Sequence, residues 1–469
     1  MPTGEGLSGL LTHGTLASLF FLYLSPPQIS RLRICSSALN AIISSEEKLW
    51  ETVVGRSHDG LARKLSQLDA TDGSKVHNLV QAYRAAASIY STRRVEWFRL
   101  RCYSSSGAKV DTPPQESHGS AMLFGGSTIA IVKGWGPPIN NDIILCSTSN
   151  WGIGECVWVP LRSKHGSPHE GVYGHVVESL SEDSLAVFGG CRFGGYTGEV
   201  NTLRIVKVDQ NNRTATWETP SCTGVPSSRA YCSMTKVQVG ENEMLVLFGG
   251  MSQGFATNTI DLMDLGKHEW SKPTASGEPP CARFGHSATY FPKQNRLLIS
   301  GGSNGSDLLR DGAEVRDIFF LSWTEESESP LELTWGKIAT ENRPPPVGLG
   351  RCHSAAKVSD SMVLFYGGSA QLSSSITMLD LKTMEFTLHD EIVRAGGGPC
   401  PRHAQVAALR GRYLMIYGGW CERSLKDLWV ADLAGGTCSA RRNALPYQAM
   451  DDEEWEEEDV NEFGACAQS

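Results

Sequence analysis

Leu245-Val-Leu-Phe-Gly-Gly250 is a run of four apolar residues that stops on two glycines. The same figure closes the runs Leu185–Phe188, Leu297–Ser300, Met362–Tyr366 and Leu414–Tyr417, with glycine pairs at 189–190, 301–302, 367–368 and 418–419. A degenerate copy, Ile129–Lys133 before Gly134-Trp135-Gly136, comes first. The first glycines are spaced 55, 60, 52, 66 and 51 residues apart. A second marker keeps the same beat. Trp97, Trp158, Trp217, Trp270, Trp335 and Phe386 are separated by 61, 59, 53, 65 and 51 residues.

Short apolar runs that end on turn residues read as buried strands. A period of 50 to 66 residues accommodates one four-stranded sheet per repeat, and six such sheets arrange radially as a propeller. Each marker has a steric reason. Glycine tolerates positive φ and close backbone approach at a crowded turn. The aromatic supplies a large buried surface between neighbouring blades. Trp97 precedes the first glycine marker, and no tryptophan follows the last pair at the same beat. The strand around Val95 to Leu100 is therefore expected to complete the last blade, built from about 401 to 433. Closure from both chain ends leaves no free sheet edge.

Outward from the repeats, composition divides the chain. Residues 10–55 and the connector 56–92 read as helical, 93–434 as the all-β ring, and 435–469 as a polar tail. The formal charge is −9, but Asp451 to Glu462 holds nine acidic residues and no basic one. Without that stretch the chain has 42 basic and 42 acidic residues. A neutral body argues against bulk electrostatic capture of nucleic acid or membrane. The tail is expected to remain solvated, or else to fold back as a mimic of an acidic target. The 13 cysteines are an odd number without a CxxC pair, which fits reduced thiols in cytoplasm or nucleus. No metal set stands out: His165 and His169 lie in a Gly/Pro/Ser loop without a cysteine pair. Gly301-Gly302-Ser303-Asn304-Gly305 satisfies GxSxG, yet a polar loop follows it where a nucleophile elbow needs a helix. Neither a cofactor nor a catalytic residue is expected.

Several repeats open with a short Arg/Gly/His signature: Tyr173-Gly-His175, Arg283-Phe-Gly-His286, Arg351-Cys-His353 and Arg402-His403, with Arg229 alone in repeat three. With the strand–glycine pairs and spaced tryptophans, residues 95 to 433 resemble the Kelch family. Leu16 to Val53 resembles an F-box in its hydrophobic rhythm. Leu16, Leu19, Phe20 and Tyr23 share a helical face. Ser25-Pro26 suits a helix start, and Ser44 with Glu47 has capping-box spacing before Trp50. Thr12-His13 stand where the family usually has Leu-Pro, and Leu39 where it commonly has a tryptophan.

An F-box ahead of Kelch repeats resembles a substrate receptor of an SCF-type cullin–RING ubiquitin ligase. The resemblance implies docking on a Skp-type adaptor, and through it on a cullin, by Leu16, Phe20, Leu24, Pro26, Ile29, Leu32 and Trp50. It implies a protein target, of unknown identity, held by the propeller. Loops after the glycine pairs carry Trp135, Arg192, Phe193, Tyr196, Phe255, Arg310, Trp420 and Arg423, the residue types that anchor interfaces. Arg229, Arg283, Arg351 and Arg402 are expected either to form a basic rim for an acidic or phosphorylated segment, or to bond neighbouring blades. The alternative function is an interaction scaffold, cytoskeletal or signalling, without a ligase link.

Overall fold

The computed structural model describes residues 94–104, 109–110, 118–124, 128–135, 142–147, 155–165, 172–192, 200–305, 313–324, 331–339, 349–369, 375–389, 391–392, 398–410 and 413–433. The expected F-box-like unit, helical connector and acidic tail lie outside them.

Six antiparallel sheets follow one another along the chain. Blade 3 is the plainest, with strands Ser233–Val239, Asn242–Phe248, Ile260–Asp264 and Glu269–Ser271 paired in chain order. Blade 1 opens with His118–Phe124, blade 2 with Val176–Ser179, blade 4 with Ser287–Phe291, blade 5 with Ser354–Ser359 and blade 6 with Val406–Arg410. These opening strands adjoin one another all the way round, blade 6 against blade 1 included, so they form the inner wall of a closed ring.

The second strands are apolar without alternation because both of their faces meet a neighbouring blade. Leu245 and Leu247 pack with Phe188 of blade 2, while Val246 and Phe248 pack with Leu297 and Ile299 of blade 4. The spaced aromatics belong to the outer strands and reach back to the preceding blade. Trp97 meets Tyr366 at 5.4 Å between ring centroids, Trp158 meets Tyr417 at 5.5 Å, Trp270 meets Phe188 at 5.6 Å and Trp335 meets Phe248 at 5.2 Å. Their role is the inter-blade one expected of them.

The ring closes as the marker order implies. Arg94–Arg99 runs antiparallel to Leu428–Asp432, with Trp97 opposite Ala431, and so supplies the fourth strand of blade 6. The chain then passes outward along blade 1, where Arg101–Ser104 lies parallel to Glu155–Pro160. Similar short parallel additions cover the outer edges of blades 2, 4 and 6. They blunt edges that otherwise present unpaired backbone groups.

The glycine pairs are required by the seams between blades. Gly249 and Gly250 have φ of +61° and +95°. The Gly250 N–H donates to the carbonyl of Arg283 in blade 4 at 2.8 Å. A Cβ on Gly249 would stand 2.8 Å from that same oxygen. In blade 1 the register differs from the sequence expectation. Val132 faces Ile143 as Phe248 faces Ile260, so Lys133, not Gly134, occupies the first-glycine position.

Candidate interaction face

Antiparallel pairing in chain order puts the loops after the glycine pairs and the loops between blades at the same end of the ring. This end is the candidate site. Its underside is a latch repeated from blade to blade. Gly174, Tyr231, Gly285, Cys352 and Ala404 each precede an opening strand, and each has a φ between +54° and +68°. Their backbones bond in series. Tyr231 N–H donates to Gly174 O (2.7 Å), Gly285 N–H to Tyr231 O (2.9 Å), Cys352 N–H to Gly285 O (2.7 Å) and Ala404 N–H to Cys352 O (2.9 Å).

The residue after each of these carries the signature side chain. Ser233 meets His286 Nε2 at 2.9 Å, and Ser287 meets His353 Nε2 at 2.8 Å. In blade 6, Gln405 replaces histidine and its amide donates to Ser354 Oγ of blade 5 at 2.9 Å. His353 Nδ1 lies 2.6 Å from Gly350 O, so Nδ1 carries the proton and Nε2 accepts from Ser287. Burial holds these imidazoles neutral: it pulls His286 down to about 3, and His175 and His353 to about 4.

The basic rim is corrected by the structure. Arg229, Arg283 and Arg402 are at most 1% exposed. Arg229 pairs with Asp261 at 2.8 Å and Arg283 with Asp317 at 2.7 Å. Arg402 grips Asp427 through both guanidinium nitrogens, at 2.5 and 2.8 Å. Each also donates to the carbonyl of its own blade's first glycine: Gly249, Gly301 or Gly418. The physical reason is local. The glycine turn carries that carbonyl beyond the strand ladder, and a buried acceptor needs a donor. Burial works against the Asp427 charge, but the hydrogen bonds and charge of Arg402 outweigh it and hold the carboxyl below its usual range. In this arrangement the three guanidiniums offer nothing to an incoming segment.

Arg351 stands apart. It precedes His353 by two positions, whereas Arg283 precedes His286 by three. Its side chain is half-buried, with Nε 3.9 Å from a Glu314 oxygen, and its N–H donates to the same carboxylate at 2.7 Å. Of the loop residues, Phe255 is 67% exposed, on a hairpin that turns through Gln253 and Gly254. Trp420 is half-buried and Arg423 exposed on the hairpin of blade 6. Arg192 is exposed and sits opposite Val172. Trp135 ends the second strand of blade 1. Phe193, Tyr196 and Arg310 lie outside the described residues, as do all seven expected adaptor contacts, Leu16 to Trp50. Ser303 of the GxSxG match is fully buried and bridges Phe284, with no helix following it in the described residues.

Residues 234–440 match the KLHDC2/KLHL20/DRC7 Kelch-repeats domain. Blades 3 to 6 thus carry a Kelch-repeat domain. The match begins in blade 3, and the two blades outside it carry Lys133 at the first-glycine position (blade 1) and Val172 at the loop-arginine position (blade 2). The chain is similar to acyl-CoA-binding domain-containing protein 5 of Arabidopsis thaliana, 25% identical over 274 residues, 57% of this chain and 38% of that one. It is also similar to the host cell factor homolog hcf-1 of Caenorhabditis elegans, 26% identical over 275 residues, 56% of this chain and 33% of that one. Adagio-like protein 1 of Oryza sativa subsp. japonica is 27% identical over 374 residues, 76% of this chain and 54% of that protein. The matched region thus spans a third to about half of these relatives. Sequence reasoning missed Asp261, Asp317 and Asp427. Asp317 and Asp427 each stand one residue before a third strand, a spacing visible once the strands are aligned.

Proposed function

We propose that the chain is the substrate-recognition subunit of an SCF-type cullin–RING ubiquitin ligase. Residues 10–55 dock on the Skp-type adaptor, and the Kelch propeller holds the protein to be ubiquitinated. The chain itself makes and breaks no bond. Its contribution is proximity, raising the effective concentration of a target lysine near the charged conjugating enzyme. It works in a reducing compartment, cytoplasm or nucleus.

The observation that carries the receptor half is the closed ring, whose two sets of loops gather at one end and present Phe255 and Arg423 to solvent. Support for the adaptor half is the F-box-like rhythm from Leu16 to Val53. The test is gel filtration of the purified chain with the Skp adaptor, where co-elution at micromolar concentration is expected. A folded chain that elutes separately overturns the ligase link. A second reading then stands, a Kelch interaction scaffold. It is favoured by the similarity to proteins whose names speak of acyl-CoA-binding domains and host cell factors.

A further inference from the structure

The niche under the first-glycine carbonyl is built differently in blade 2. Val172 stands three positions before His175, where blades 3, 4 and 6 place Arg229, Arg283 and Arg402 ahead of Cys232, His286 and Gln405. The third strand compensates with a charge of the other sign. Phe188 faces Leu203 as Phe248 faces Ile260, and in this shared register Arg204 occupies the position of Asp261. Blade 2 therefore lacks the opening-loop arginine, and its third strand carries an arginine where blade 3 carries the carboxylate.

Arg204 is half-buried, and among the described residues no carboxylate lies against it. Burial lowers its pKa, and the like charge of Arg192 lowers it further. An anion would relieve both effects. Arg192 is exposed on the two-residue ladder opposite Val172. Lys133 of blade 1 occupies the first-glycine position, which in blades 2 to 5 abuts the opening segment of the next blade. Its ammonium is buried, with the carboxylate of Asp142 offsetting part of that cost. The seam between blades 1 and 2 thus carries Lys133, Arg192 and Arg204, in a body whose formal charges sum to zero outside the acidic tail.

We infer that this seam is the anion-reading part of the interaction face, taking a carboxylate- or phosphate-bearing segment of a partner polypeptide on Arg204 and Arg192. The inference rests on the ring acting as a protein receptor, as proposed above, and names the chemistry that it selects.

The test is fluorescence anisotropy on the full chain, with a labelled glutamate-rich dodecapeptide and its twin carrying one phosphoserine. Arg204→Gln is expected to weaken both about tenfold, the scale of one charge-assisted hydrogen bond. Val172→Arg combined with Arg204→Asp rebuilds the neutral pair of blade 3 and is expected to abolish binding. Arg351→Gln, outside the seam, is expected to leave affinity within about twofold. If Arg204→Gln does not fold, Arg192→Gln at the surface replaces it, with a loss of about threefold expected. Absence of saturable binding to the unmodified chain overturns the inference. So does unchanged affinity in the folded Arg204→Gln or Arg192→Gln protein. Failure to bind the Skp adaptor leaves this result standing, so the two readings fail separately.

Discussion

In blade 6 the space under the Gly418 carbonyl is filled by Arg402, which Asp427 holds with two hydrogen bonds. In blade 2 the corresponding loop position is Val172, and the third strand carries Arg204 at the register position that Asp261 has in blade 3. Both blades put a guanidinium at this end of the ring. Blade 6 closes its charge inside the fold, whereas blade 2 leaves it open. The same residue type is therefore a structural tie in one repeat and a free valence in another. The deciding feature is whether a carboxylate shares the niche.

The largest effect should come from breaking the closed arrangement. Asp427→Ala leaves Arg402 buried without a counter-charge and is expected to cost about 4 kcal/mol in denaturant unfolding. Arg204→Gln removes a charge with no buried partner and is expected to cost less than about 1 kcal/mol in the same measurement. Similar costs for the two would erase the distinction between the blades.

Acid should separate them next. Blade 2 carries His175, whereas blade 6 has the non-titrating Gln405 at that position. Burial lowers the folded pKa of His175 from 6.5 to about 4. Below 6.5 the unfolded chain binds a proton that the folded chain refuses. Stability contributed by the neutral imidazole is therefore intact above 6.5, and it is lost as pH falls toward 4. The loss is expected to reach about 3 kcal/mol. His175→Gln should remove this part of the slope between pH 6.5 and 4, as read by unfolding midpoints across that range. An unaltered slope would place the proton elsewhere.

The smallest difference lies in the seams. Trp158 of blade 1 meets the ring of Tyr417 of blade 6 at a tilt, while Trp217 of blade 2 packs among aliphatic residues, Ala130 and Val132 included. Trp158→Leu should therefore cost about 1 kcal/mol more than Trp217→Leu, the worth of an aromatic pair beyond its area. Equal costs would mean that the ring contact adds nothing to burial.

The fold was legible because its markers are steric. Glycine pairs and spaced tryptophans repeat wherever a strand must turn at a crowded seam, and their order also exposed Arg94–Arg99 as the closing strand. Arg229, Arg283 and Arg402 were legible as a repeat but not as interior. An arginine that binds a target and one that satisfies a glycine carbonyl occur at the same spacing in a chain. Arg351 looked like a fourth member and is not, because its one-residue offset takes the side chain off the niche.

The sequence by itself determined six blades, their order and the seam that joins the two chain ends. These depend on local backbone freedom and on apolar runs, which residue types report directly. Only the tertiary structure decided which charges are answered. The bonded series Gly174, Tyr231, Gly285, Cys352 and Ala404 has no common residue type, because it is made by backbone groups. The fate of each arginine depends on residues 25 to 34 positions away that only folding brings to its side.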